Sequence, residues 1–210
     1  MNTPFDALAT RYDELWSGTT EGNTQREEVW REIDLLFSPG DHILDLGCGT
    51  GDDAVHLARN GVRVTGIDNS SEMVQFARSR GVDATEMAVQ DLASHSGLYD
   101  GVLSNFGALN CVGDLHSAAA ELHRLIRPGG IAAACFMGRF FWRETVRFAV
   151  QFQFAAATRR WSGRTNWRGI PVWYPTDAAI RRCFAPWFRQ VRLVRIGGGD
   201  HMLHILRHAQ

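Results

Sequence analysis

The sequence of 210 residues contains no lysine, so all 22 basic residues are arginine. Its four cysteines, Cys48, Cys111, Cys135 and Cys183, are far apart and form no CxxC motif or Cys/His cluster. This spacing argues against a zinc site, and we expect reduced thiols and no bound metal. No apolar run reaches the roughly 18 residues that span a bilayer. The N-terminus also lacks the basic start and apolar core of a secretory signal. We therefore expect a cytoplasmic protein without a transmembrane segment.

Acidic residues are scarce in the last third of the chain. Residues 138–210 contain 13 Arg and 3 acidic residues, whereas residues 1–137 contain 9 Arg and 20 acidic residues. The formal net charge of −1 therefore hides a strongly acidic part followed by a strongly basic part. This separation suggests that the two parts meet different partners.

The apolar patterns predict alternating strands and helices after a helical arm. Apolar spacings of three to four residues predict arm helices over 4–16 and 24–37. Strands are then predicted at 42–46, 62–67, 82–87, 99–104 and 131–137, with helices at 52–60, 70–80 and 114–126 between them. This order implies βαβ units and a parallel sheet with helices on both faces. Residues 138–175 form an insert rich in aromatic residues and arginine, and a helix at 176–185 and a strand hairpin at 188–206 close the chain.

Three glycines within five residues follow the first predicted strand. The segment ILDLGCGTG, residues 43–51, predicts a buried strand, a loop with Gly47, Gly49 and Gly51, and then a helix. Glycines allow sharp turns and the close approach of a ligand. Such a loop at the carboxyl end of a strand is suited to a nucleotide-like ligand.

The loop differs from a dinucleotide-binding fingerprint in spacing and charge. Its glycines follow GxGxG rather than GxGxxG. Asp45 precedes the loop, and Asp52 and Asp53 open the helix. These carboxylates would repel a pyrophosphate and favour a cationic sulfonium or amino-acid cofactor, although Asp52 and Asp53 also suit the helix dipole by themselves. Asp68, at the end of the second predicted strand, is placed to accept both hydroxyls of a ribose.

With these motifs in place, residues 1–137 resemble the class I S-adenosylmethionine (SAM)-dependent methyltransferases of the small single-domain kind. The matching segments are FDALATRYDELW, ILDLGCGTG, GIDNSSEMVQFAR, QDL, YDGVLSNFGALN and LIRPGG. The resemblance implies one domain over residues 1–210, with an arm at 1–37 and a helical lid insert at 138–175. It also implies a Rossmann-like, doubly wound sheet of seven strands, mostly parallel, with an antiparallel last strand.

The resemblance also implies which residues bind SAM and the product S-adenosylhomocysteine (SAH). The glycine loop would hold the methionine moiety, Asp68 the ribose and Asp91 the adenine amino group. The implied cofactor-binding residues are Tyr12, Asp45, Gly47, Cys48, Gly49, Gly51, Asp68, Asn69, Met73, Gln90, Asp91, Leu92, Ser104 and Asn105.

The acceptor is expected to be a small molecule with an apolar or aromatic body, methylated on oxygen or nitrogen. Its expected neighbours are Trp16, Phe106, Trp142, Arg143 and Tyr174. Methyl transfer needs an in-line approach to a free lone pair, and positioning with water exclusion supplies much of the rate. Tyr174 and His201 are the candidate bases. We expect a monomer or a homodimer.

Several alternatives remain open from the sequence. The Arg-rich insert is also compatible with an RNA substrate or a carrier-protein-tethered acid, although the acidic body disfavours nucleic acid. The Arg-rich, aromatic composition of the insert would also arise if its arginines only solvate the outer face of a packed lid. It would arise equally if the insert lies on a membrane surface. A non-catalytic module that binds SAM or SAH and a nicotinamide-dependent oxidoreductase are the remaining alternatives.

Overall fold

A computed structural model describes residues 3–6, 9, 11, 18–139, 145–146, 148, 150–152, 158 and 160–209. The described helices are α1 (Thr20–Ile33), α2 (Asp52–Arg59), α3 (Ser71–Ser79), α4 (Leu115–Leu125) and α5 (Asp177–Phe184). The described strands are β1 (His42–Leu46), β2 (Arg63–Asp68), β3 (Asp83–Glu86), β4 (Tyr99–Ser104), β5 (Ile126–Met137), β6 (Arg164–Trp167), β7 (Ile170–Trp173), β8 (Phe188–Ile196) and β9 (His201–His208). Short 3₁₀ turns cover Val89–Ser94, Ala108–Cys111 and Gly197–Gly199.

Seven strands form one sheet in the order β3-β2-β1-β4-β5-β9-β8. Strands β1 to β5 pair in parallel, and β9 runs antiparallel to both β5 and β8. The expected seven-stranded, mostly parallel sheet with an antiparallel last strand is confirmed. The chain moves outward from β1 to β3 and then crosses to β4 on the other side of β1. The order of the strands therefore reverses between β1 and β4, which is where open α/β sheets bind ligands.

Helices cover both faces of this sheet, as the alternating pattern predicts. On one face, Val29 and Ile33 of α1 and Leu57 of α2 are fully buried against strand residues such as Ile43 and Leu103. On the other face, the apolar sides of α4 and α5 pack against a second set of strand side chains. The sheet is thus buried on both faces, and polar groups can face a ligand at the ends of its strands.

Helix α1 and strand β5 differ by several residues from the bounds predicted from the sequence. Helix α1 begins at Thr20 rather than at residue 24, because the Thr19 hydroxyl accepts a hydrogen bond from Gly22 N and caps the helix. The helix ends at Ile33 rather than at residue 37. Strand β5 begins at Ile126, which pairs with Tyr99 ahead of a register shift. The segment expected as a turn before β5 is therefore an irregularity within the strand.

The prediction of a helical insert is wrong for residues 164–173. These residues form the antiparallel hairpin β6–β7, in which Trp167 pairs with Ile170. The two loop residues, Arg168 and Gly169, have φ of 50° and 90°. Positive φ at both loop positions is typical of the type I′ turn, whose twist matches that of paired strands. The described residues Thr145, Val146, Phe148 and Val150, earlier in the insert, are helical.

Candidate active site

The glycine loop lies at the carboxyl end of β1, beside the point where the order of the strands reverses. Gly47, Gly49 and Gly51 all have positive φ, between 52° and 88°. A Cβ on Gly47 would lie 2.4 Å from the Cβ of Ala108, so this glycine is required by packing. A Cβ on Gly49 would meet no atom within 4 Å. The loop is therefore tight against the protein at Gly47 and open at Gly49, where a ligand can approach the backbone.

The backbone N–H groups of the loop are directed toward the protein. Gly47 N and Cys48 N both donate to the Ile67 carbonyl, at 2.8 and 3.0 Å. Gly49 N donates to Asp68 Oδ2 at 2.9 Å, and Gly51 N donates to the Cys48 carbonyl at 2.9 Å. A pyrophosphate site needs such donors to face the ligand. The hydrogen bonding thus supports the sequence argument against a dinucleotide.

Asp52 and Asp53 are paired with arginines, which corrects the proposed reason for a cationic ligand. Arg80 donates to Asp52 at 2.6 Å, and Arg26 of α1 donates to Asp53 at 3.0 Å. Asp53 also accepts from the Trp30 indole at 2.8 Å. These partners neutralise both carboxylates, so neither is a free negative charge for a ligand. The preference for a cation has to come from other carboxylates.

Asp45 is such a carboxylate. The residue is 2% exposed, and its Oδ2 has no hydrogen-bond partner among the described residues. Burial, together with the nearby Asp53 carboxylate, raises the pKa of Asp45 well above its ordinary value. An unpaired buried carboxyl is costly unless a partner arrives. A bound ammonium or sulfonium group would supply that partner.

Asp68 organises the end of β2. Its two carboxylate oxygens accept hydrogen bonds from Gly49 N and Ser70 N, each at 2.9 Å. Burial raises the pKa of Asp68, and these N–H groups oppose the rise. A carboxylate has about four acceptor positions, so capacity remains for two ribose hydroxyls. Asn69, the next residue, is exposed. Met73 is buried in the first turn of α3, and its N–H donates a hydrogen bond to the Ser70 hydroxyl.

The expected adenine-binding segment lies in the 3₁₀ turn that follows β3, at the same sheet edge. Leu92 is fully buried, and Asp91 is exposed. The Gln90 amide donates to the Cys111 carbonyl at 3.3 Å, which links this turn to the segment after β4. These placements agree with a carboxylate at the rim and an apolar side chain beneath it.

The segment after β4 is fixed by a buried amide. Ser104 is buried and donates to the Leu46 carbonyl at 3.4 Å. Asn105 donates to Asp53 Oδ2 at 2.9 Å and accepts from Phe106 N at 2.9 Å. These bonds hold Phe106 at φ 46°, a strained conformation for a non-glycine residue. Asp53 therefore joins α1, α2 and the segment after β4 at the site.

Asn110 attaches the hairpin to this edge, and the sequence analysis missed it. Its fully buried amide donates to the Trp173 carbonyl at 2.6 Å and to the Met137 carbonyl at 3.3 Å, and accepts from Met137 N at 2.9 Å. Tyr174, one residue further on, is buried with the Arg160 guanidinium 5.4 Å above its ring. An asparagine in a glycine-containing turn ordinarily indicates a loop, so its pattern gave no sign of this role.

The described residues of the arm also reach this edge. Ser70 Oγ donates to Asp6 Oδ1 at 2.6 Å, directly beside Asp68. The Phe5 ring lies 5.4 Å from that of Trp167 in the hairpin. The arm and the hairpin therefore meet at the carboxyl edge of the sheet. The expected site residues Tyr12, Trp16, Trp142 and Arg143 lie outside the described residues.

His201 opens β9 and reaches the site from the antiparallel strand. It pairs with Met137 at the end of β5, and its ring meets the Phe106 ring edge-on at 5.5 Å. Its side chain is close to Asp200, with 3.7 Å between Nδ1 and Oδ2. The two candidate bases thus differ in position: His201 contacts Phe106, and Tyr174 lies under Arg160.

Comparisons with known proteins agree with this architecture. A family model described as a methyltransferase domain matches residues 43–130. A demethylmenaquinone methyltransferase from Mycolicibacterium gilvum is 34% identical over 216 residues, covering 95% of this chain and 91% of that protein. A 2-phytyl-1,4-naphtoquinone methyltransferase from Nostoc sp. is 32% identical over 143 residues, and the match spans only 61% of either chain.

A solved structure shows the same fold over the whole chain. It is the methyltransferase in a complex with the Trm112 activator from Haloferax volcanii, with a TM-score of 0.73, 18% identity and full coverage of both chains. At this identity the likeness concerns the fold alone. Among the residues described here, no helix combines the length and apolar character needed to cross a membrane.

Proposed function

This chain belongs to the class I SAM-dependent methyltransferases, and we propose that it methylates an oxygen or nitrogen atom of a small molecule with an apolar, aromatic body. The observation that carries the proposal is the position of Phe106. It is held in a strained conformation directly after β4, and its ring contacts His201 and the Arg26 guanidinium. An aromatic side chain fixed there favours a flat apolar acceptor.

The residues present fit SAM. The open space at Gly49 suits the methionine moiety, and the unpaired carboxyl of Asp45 suits its cationic groups. Asp68 retains acceptor capacity for the ribose, and Leu92 and Asp91 supply an apolar and an acidic neighbour for adenine. When bound, SAM supplies an electrophilic methyl group on a sulfonium. The protein's part is to orient the acceptor and exclude water.

The acceptor side of the proposal rests on chemistry and on relatives. The two relatives are methyltransferases of a phytylnaphthoquinone and of demethylmenaquinone, which are quinones with flat apolar rings. Phe106 and Tyr174 are the described residues that we assign to the acceptor. Trp16, Trp142 and Arg143 remain predictions from the sequence.

Release of SAH from SAM tests the function directly. Purified protein is incubated with SAM and three probes that share a naphthalene body: 1-naphthol, 1-naphthylamine and 1-naphthoic acid. We expect SAH release with at least one probe, and much less from the Asp68→Asn variant. Parallel reactions contain transfer RNA or an acyl carrier protein. Release with either macromolecule and with no probe would contradict the proposal, as would tight SAH binding without turnover of any acceptor.

The Arg-rich hairpin gives the macromolecular alternative its structural basis. Arg164 and Arg168 are exposed and lie over the rings of Trp173 and Trp167, at 5.2 and 5.4 Å. Arginine stacked on an aromatic ring is suited to nucleic-acid contact. Affinity for transfer RNA that falls steeply with salt would therefore favour that alternative.

A further inference from the structure

His201 combines burial, an unsatisfied ring nitrogen and contact with the proposed acceptor position. The residue is 8% exposed. Nδ1 is buried and has no hydrogen-bond partner among the described residues. A buried polar atom left without a partner needs an explanation, since it costs stability. The contact between His201 and Phe106 suggests that the explanation is functional.

The two ring nitrogens of His201 have different surroundings. Nδ1 faces Asp200, whose Oδ2 lies 3.7 Å away, inside ion-pair distance and beyond hydrogen-bond distance. Arg160 donates to the other oxygen of Asp200 at 3.1 Å and fixes the carboxylate in place. Because Nδ1 is the nitrogen beside Asp200, we assign proton acceptance to the other ring nitrogen, Nε2. A carboxylate behind Nδ1 stabilises an imidazolium that forms when Nε2 accepts a proton.

We propose that His201 is the general base of this enzyme, that Asp200 is its positioning residue, and that the acceptor carries a hydroxyl group. This inference rests on the proposed function and narrows the acceptor from oxygen or nitrogen to a hydroxyl oxygen. His201 Nε2 takes the hydroxyl proton as the acceptor oxygen forms its bond to the methyl carbon. The carbon–sulfur bond breaks, both of its electrons stay on sulfur, and the proton later leaves His201 for water.

The charge state of His201 is compatible with this role. Burial lowers the pKa of His201 below its ordinary value, with Asp200 opposing the shift and Arg160 reinforcing it. On the Phe106 ring, which His201 contacts, the Arg26 guanidinium lies 5.0 Å from the ring centroid. The imidazole is therefore neutral at pH 7 and able to accept a proton. Tyr174 is the poorer candidate by position, because its ring lies under the Arg160 guanidinium and its hydroxyl accepts from Thr165 Oγ1 at 3.4 Å, whereas His201 contacts Phe106.

The three naphthalene probes also test this inference, because they differ in their need for a base. Naphthol must lose a proton during transfer, whereas naphthoate is already an anion. We expect His201→Gln to lower kcat for naphthol by roughly 100-fold or more, the ordinary contribution of a general base, with a small change in KM. The acidic limb of the pH profile below about pH 6.5 should disappear. Any turnover of naphthoate should remain within about threefold.

His116→Gln is the matched control, because His116 is exposed on α4 and packs on Trp187, away from Phe106. It should leave kcat, KM and the pH profile unchanged. Unchanged SAH affinity in both variants shows that the cofactor site is folded.

The outcomes separate this inference from the proposed function. A His201→Gln variant that keeps the naphthol rate, or keeps the acidic limb, overturns the role of His201. Turnover of naphthylamine or naphthoate without naphthol overturns the hydroxyl acceptor and leaves small-molecule methylation standing. Equal loss with naphthol and naphthoate also overturns the base, because it indicates a structural role. No turnover of any probe overturns both proposals for an acceptor with this body.

Discussion

Replacing Gly49 by alanine isolates the space that the glycine loop keeps open for a ligand. Gly49 has φ 52°, and a Cβ there meets no atom of the protein within 4 Å. Gly40, in the turn before β1, has φ 94° and the same open surroundings. Both substitutions therefore place a side chain in left-handed backbone without a clash. Each should lower the free energy of unfolding by about 1–2 kcal/mol.

Only the substitution at Gly49 should affect cofactor affinity. The added methyl group would occupy the space that we assign to the methionine moiety. We expect Gly49→Ala to raise the Kd for SAH at least about tenfold, or about 1.4 kcal/mol, by isothermal titration calorimetry. Gly40→Ala should bind SAH as the wild type does, and urea unfolding should show similar losses in both variants. Equal SAH affinity in the two variants would refute the placement of the ligand over Gly49.

Three further substitutions test the site and its support. Asp68→Asn should weaken SAH binding by about 1.5–3 kcal/mol, because the ribose loses a charged acceptor. The control Glu86→Gln, at an exposed position on the adjacent strand β3, should not weaken it. Similar SAH affinities in the two variants would contradict the assignment of Asp68 to the ribose. Asp45→Asn should stabilise the ligand-free protein at neutral pH. Because the folded pKa of Asp45 is raised, the wild type loses stability as pH rises above about 3.8. Urea unfolding at several pH values measures the stability that Asp45→Asn adds over the wild type. If that added stability persists below pH 3.8, the cost does not come from ionising an unpaired carboxyl. Asn110→Ala should lower the free energy of unfolding by about 1–3 kcal/mol by freeing the Trp173 carbonyl, and unchanged hydrogen exchange at the hairpin would show that Asn110 does not hold it.

Most of the sheet could be predicted because its signals are local. Buried strands of β-branched and apolar residues, separated by helices with glycine or Ser caps, determine the alternating order of elements. Helix α3 illustrates this: the Ser70 side chain caps it and accepts from Met73 N at 3.2 Å, as its position before the apolar pattern indicates. The glycine loop and Asp68 were located for the same reason, because both follow directly from the ends of predicted strands.

The missed features have two causes, one being contacts between residues that are distant in the sequence and the other being weak local signals. The neutralisation of Asp53 comes from Arg26, which lies 27 positions earlier on α1, and no local rule places that guanidinium. The β6–β7 hairpin was missed because Arg168-Gly169 is a weak turn signal and Pro171 disfavours a strand. Its pairing is nevertheless compatible with proline, since β6 and β7 form a two-stranded sheet with open edges.

A crystal structure with SAH bound measures the central claim most directly. The account places the ribose hydroxyls within about 3.2 Å of the Asp68 carboxylate oxygens, with the sulfur directed toward Phe106 and His201. Density for the ribose beyond hydrogen-bond reach of Asp68, or for SAH outside the cleft between β1 and β4, would contradict it.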